Sequence, residues 1–112
     1  MIEQLAEKMI RKKINEGDFD VTEHAMARMT ERKIDFNKVL DCIIKGKTVE
    51  FQTDRRINDI KVLFQEATDK KPEIYTVVAA LDTPLIITVC RTKEEVWECI
   101  DNVLQRRERY KR

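Results

Sequence analysis

Residues 48–65, TVEFQTDRRINDIKVLFQ, decide the fold, because here the spacing of apolar side chains drops to two. Val49, Phe51 and Thr53 alternate with Glu50, Gln52 and Asp54, the pattern of a strand with one covered and one wet face. Ile60, Val62 and Phe64 alternate in the same way with Lys61, Leu63 and Gln65. Between the two runs, DRRIND at 54–59 reads as a hairpin loop.

Downstream the pattern stays extended. TDKKP at 68–72 marks a turn, and 73–81 is nearly all apolar or β-branched, a central strand. Asp82-Thr83-Pro84 turns the chain again before the run at 85–90. Connections this short force neighbouring strands to be antiparallel, since a parallel crossover needs a dozen or more residues. A four-stranded antiparallel meander is expected.

Upstream the spacing is helical. Residues 2–16 form a first helix with Ile2, Leu5, Met9 and Ile14 apolar, and Gly17 stops it. A second helix follows Thr22, a capping residue, with Val21 placed to staple onto Met26. A third starts at Asp35, carries Phe36, Val39, Leu40, Ile43 and Ile44, and stops at Gly46. Thr92 with Glu95 forms a capping box that opens a last helix bearing Val96, Trp97, Ile100, Val103 and Leu104. The expected fold is α+β: N-terminal helices packed on the antiparallel sheet, with a C-terminal helix, all in one domain over residues 1–112.

Composition narrows the function. The 112 residues carry 22 Lys plus Arg against 21 Asp plus Glu, a net charge of +1, so any nucleic-acid contact must rest on local patches. Cys42, Cys90 and Cys99 are odd in number and form no CxxC pair, which suggests reduced thiols. The N-terminus MIEQLAEKMIRKK lacks an apolar signal core, and no segment is apolar enough to span a bilayer; a cytoplasmic location is expected, with no membrane association. One His and three scattered Cys do not supply zinc spacing, and two glycines leave no phosphate loop, so neither metal nor cofactor is expected.

The second helix, in FDVTEHAMARMTER at 19–32, has two unlike faces. Ala25, Met26 and Met29 form a core stripe, while His24, Arg28, Glu31 and Arg32 gather opposite. An imidazole stacked above a guanidinium can handle a phosphate; the same row also serves as an ordinary solvated helix face. On the strands, Glu50, Gln52 and Asp54 share one face, and so do Lys61 and Gln65, with Tyr75 and Arg91 able to join them. A sheet covered on one side presents polar residues on the other, so these positions carry the same two readings.

Taken together, HAMARMTER (24–32), IDFNKVLDCIIKG (34–46), KVLF (61–64) and IITVCRT (86–92) resemble a bacterial domain-of-unknown-function family, numbered 4258. Its members share a His-Ala-x-x-Arg-Met-x-x-Arg helix before a small sheet, matched here by His24, Ala25, Arg28, Met29 and Arg32. The family has been grouped with the barnase, EndoU, colicin and RelE ribonuclease toxins. The order of elements also looks like the motility and quorum-sensing regulator toxin. The resemblance implies metal-independent RNA cleavage by a toxin-type endoribonuclease, with RNA as substrate and an antitoxin protein as partner.

Such cleavage needs a base for the 2′-hydroxyl, an acid for the departing 5′-oxygen and cations for the phosphorane. The candidate catalytic residues are His24, Arg28, Glu31, Lys61 and Arg91; Arg32, Arg55, Arg56 and Tyr75 are candidate RNA contacts. This reading requires His24 and a sheet cation to converge in one concave site. The alternative is a non-catalytic interaction domain that uses its terminal helices to form a homodimer or to hold a protein partner.

Overall fold

The computed structural model describes residues 2–54 and 59–110. Helix α1, Ile2–Asn15, buries Ala6, Ile10 and Ile14, which stand four apart and share a face. Ile2 and Leu5, expected in the apolar stripe, lie in solvent at 69% and 67% exposure. Gly17 ends the helix at φ 77, letting Asp18 N–H reach back to the Lys13 carbonyl. The α2 helix, Glu23–Arg32, starts where Thr22 Oγ1 accepts a hydrogen bond from Ala25 N–H. Its buried side is Ala25 and Met29, whereas Met26 is 58% exposed rather than in the core. Asp35 caps α3, Phe36–Lys45, by accepting from Asn37 N–H at 2.7 Å.

Strands β2 (Thr48–Asp54), β3 (Asp59–Gln65), β4 (Ile74–Ala79) and β5 (Leu85–Arg91) pair antiparallel in sequence order, as the short connections dictate. The sheet is nonetheless not a four-stranded meander. The two residues of β1, Asp20–Val21, add to the outer edge of β5 in parallel, giving a mixed five-stranded sheet in the order β1-β5-β4-β3-β2. The chain between them is long enough for a parallel return, and a two-residue strand leaves no alternation to read.

The expected C-terminal helix is also absent. Trp97–Ile100 and Val103–Arg106 form a hairpin, β6 and β7, and only a 3-10 turn follows at Glu108–Tyr110. Asp101 and Asn102 join the strands with φ 52 and 63, the two left-handed residues of the tight turn that matches strand twist. Val96, Trp97, Ile100, Val103 and Leu104 fit helical spacing, yet Trp97 with Cys99 and Leu104 with Arg106 fit strand spacing equally well. Asp-Asn at the midpoint tips the balance, because both residues tolerate the left-handed region.

The hairpin covers the sheet face opposite the helices, so the sheet separates two cores. Val62, Phe64, Ile74, Val78, Ile86 and Val89 pack under the helices. On the far side Leu63 meets Trp97 and Leu104, with Val49, Tyr75 and Val77 around them. Arg11 ties α1 to the end of α3 by donating to the carbonyls of Ile43 and Ile44 at 2.9 and 3.1 Å, with its guanidinium 5.0 Å from the Phe64 ring centre.

Cys42 sits within the helix-side core and donates to the Phe64 carbonyl at 3.1 Å. Burial disfavours its thiolate and pushes the thiol up to about 12. An unfolded thiol ionises near its ordinary value of 9.0, so folding loses stability as pH climbs from there toward 12. A maleimide reagent at mildly alkaline pH should label the half-buried Cys90 and Cys99 in the native protein and reach Cys42 only after denaturation. Labelling of Cys42 in the native state, read by peptide mapping, would contradict its placement.

Candidate functional site

Helix α2 lies along β5 and supplies what that strand's edge lacks beyond β1. Thr22 Oγ1 donates to the Ile87 carbonyl at 2.8 Å, and Arg32 Nη1 donates to the Val89 carbonyl at 2.8 Å. Arg91 Nη2 in turn donates to the Arg32 carbonyl at 2.6 Å, at the end of the helix. Arg28 and Glu31 form an ion pair at 2.6 Å. His24 stands exposed in the first turn. The eight steps from His24 to Arg32 rise about 12 Å along the helix axis, which separates the imidazole from the end that Arg91 holds. The helix row is real, and its arginines hold backbone and a glutamate.

The two expected sheet cations face opposite ways. Arg91 pairs across from Ile74, a residue of the helix-side core, while Lys61 alternates with Val62 and so shares the face of Leu63, under the hairpin. Lys61 lies 3.7 Å from Asp59 and opposite Gln52. His24 and Lys61 are therefore on different sides of the sheet and do not converge. Tyr75 is on the Lys61 side but lies against Trp97, ring centres 5.1 Å apart. Burial and the neighbouring Cys90 push its hydroxyl up to about 12. Arg55 and Arg56 fall outside the described residues.

What the structure does assemble is a cleft of about 480 Å³ between residues 49–53 of β2 and residues 104–106 of β7. Glu50 is its centre. Arg106 grips the carboxylate through Nη2 at 2.7 Å and Nε at 3.4 Å, and Gln52 Nε2 donates to Glu50 Oε1 at 3.0 Å. The pair is partly open to solvent, with side-chain exposures of 18% for Arg106 and 27% for Glu50. Arg106 also lies 4.5 Å above the Trp97 ring, which fixes its guanidinium over the sheet. One strand over, Lys61 faces the same side as Gln52 and Glu50, and diagonal neighbours across a sheet are roughly 7–8 Å apart. Among the described residues, no group of three or more His, Cys, Asp or Glu side chains is placed to hold a metal ion. No helix among them is long and apolar enough to cross a membrane.

Sequence reading singled out Glu50 and Gln52 as a polar face, and the basic end from Arg106 to Arg112 as a solvated helix end or an RNA or partner contact. It did not join Arg106 to Glu50, because a helical tail puts that residue far from β2. The signal was the Asp-Asn turn, which brings the chain back over the sheet. Gln65, placed with Lys61 on a polar strand face by its spacing, is instead buried; it donates to the Asn102 carbonyl at 2.6 Å and accepts from Leu104 N–H at 2.8 Å, clamping the hairpin.

Comparison with curated proteins finds no match, and comparison with solved structures finds none either. A family model does match, over residues 21–91, which run from β1 to the end of β5 and leave α1 and the hairpin outside. The chain belongs to that family, the domain of unknown function DUF4258.

Proposed function

We propose that this domain cleaves RNA at the cleft between β2 and the hairpin, by transesterification carried by side chains. The observation behind the reading is the Glu50 carboxylate held against Arg106 at 2.7 Å in an open cleft. A base and a phosphate-binding cation side by side are the central demand of the reaction. Glu50 takes the proton from the ribose 2′-hydroxyl, and the 2′-oxygen attacks phosphorus. Arg106, freed from part of its contact with Glu50, stabilises the charged phosphorane through its guanidinium fork. The bond from phosphorus to the 5′-oxygen breaks, and the Lys61 ammonium supplies the proton to that oxygen. The products are a 2′,3′-cyclic phosphate and a 5′-hydroxyl. His24 has no part in this chemistry.

Cleavage of a mixed-sequence RNA in the presence of EDTA tests the proposal. Glu50→Gln should lower the rate about 10²–10⁴-fold, the usual worth of a positioned base, while His24→Ala cleaves like wild type. Inert wild-type protein, or a Glu50→Gln variant as fast as wild type, overturns it.

The non-catalytic reading keeps one supporting observation, the exposed Ile2 and Leu5 on α1, which can bury each other between two copies. The C-terminal half of that dimer interface falls away with the helix that was to form it. Sedimentation that shows a monomer for both wild type and Leu5→Glu would end this reading.

A further inference from the structure

The two edges of the five-stranded sheet are treated differently. At the β5 edge, β1 pairs with the first residues, and Thr22 and Arg32 side chains donate to the Ile87 and Val89 carbonyls beyond it. Along the other edge, β2, no described residue gives the middle such cover. Ala80 N–H donates to the Ile60 carbonyl, and Gln65 N–H to the Lys47 carbonyl. So Ile60 and Val62 turn their backbones to β4, while Lys61 and Leu63 turn theirs to Gln52 and Glu50. By the same alternation the N–H and C=O groups of Phe51 and Thr53 point away from the sheet.

Across the cleft the same holds for β7. Arg107 N–H donates to the Val96 carbonyl, so the odd-numbered positions bond to β6 and the N–H and C=O of Arg106 face outward. The cleft is thus flanked by two strand edges whose backbone groups are directed into it or past it. Exposed edges attract another strand unless they are blocked, and here one edge is blocked and the other left open beneath an overhanging hairpin.

We infer that the β2 edge is a docking site for an extended segment of a partner polypeptide, which adds to the sheet as a sixth strand beside Phe51 and Thr53. The chemistry of the segment follows from its neighbours. Side chains turned toward the helix layer meet Phe51, which favours β-branched apolar residues; those turned toward the hairpin meet Glu50, Gln52 and Arg106, which favours threonine, serine or glutamine. The added strand fills the space that a substrate would use, so a partner seated there excludes RNA. That consequence rests on the proposed cleavage at Glu50; the docking itself does not.

The probe is a synthetic peptide of roughly ten residues that alternates valine and threonine, with lysine at each end. Hydrogen exchange on the full chain should show the Phe51 and Thr53 amides slowed by the peptide. Thr53→Pro removes one outward donor and leaves the ladder to β3 untouched, since proline is tolerated where an edge N–H faces solvent. That variant should keep its melting temperature and bind the peptide about three- to tenfold more weakly, the worth of one hydrogen bond. Lys61→Met removes the proposed acid one strand in from the docked segment and should bind the peptide like wild type, which separates docking from cleavage. Unchanged exchange at Phe51 and Thr53, or a Thr53→Pro variant that binds as well as wild type, overturns the inference; protection confined to Val21 would place the strand on the wrong edge.

Discussion

Gly46→Ala is expected to destabilise the fold by about 3 kcal/mol or more. The backbone here is ordinary, with φ −75 and ψ 175, so conformation is not what demands glycine. Space is. A Cβ at this position would lie 1.9 Å from the Gln65 carbonyl oxygen and 2.2 Å from that of Cys42, both of them main chain. Neither atom can yield by a rotamer change: one belongs to the end of β3 and the other to the last turn of α3. Relief requires α3 to lift from the sheet, which loosens Val39 and Ile43 in the helix-side core. Gly17→Ala is the matching control, since nothing lies within 4 Å of the added methyl and only the positive φ opposes it. A cost of about 1 kcal/mol is expected there. Urea denaturation of both variants decides the matter; a Gly46→Ala protein no weaker than Gly17→Ala would mean that α3 sits further from β3 than described.

Trp97→Ala should cost about 3–5 kcal/mol, in the range for emptying a large aromatic from a core. Trp97 is 1% exposed and centres the core beneath the hairpin, against Tyr75, Leu63 and Leu104. Its loss also removes the ring under Arg106, so the guanidinium that reaches Glu50 loses its seat. Two readouts should therefore fall together: stability, and any cleavage that depends on Arg106. Trp97→Phe retains much of the packing and should recover most of both. An alanine variant with an unchanged unfolding midpoint would show that the hairpin does not rest on the sheet. Because Trp97 is the only tryptophan, its fluorescence reports on the hairpin alone.

Much of the fold was legible. Thr22 and Asp35 announced helix starts, Gly46 an end, and the period-two runs placed β2 through β5 within a residue or two. What misled was ambiguity of pattern. Thr92 and Glu95 look like a capping box, yet the segment beyond them returns over the sheet once Asp101 and Asn102 take left-handed conformations. A short apolar run fits both helix and strand, and tertiary burial of Trp97 and Leu104 decides between them. The site was harder still. Residue type marked His24 and Lys61 as chemically apt, but which face a strand residue takes depends on register. The bulges at Val49 and near Ile87 shift that register locally. Partnership between Glu50 and Arg106 spans 56 positions of chain, and its one sequence trace is the Asp101-Asn102 turn that returns the chain over the sheet.

Leu63 and Phe64 are consecutive in the chain, yet one looks into the core under the hairpin and the other into the core under the helices. A single strand thus serves as the common wall of both compartments, and neither can melt without stripping one side of it. The protein should lose its structure in one indivisible step, with tryptophan fluorescence and helical dichroism tracing the same curve.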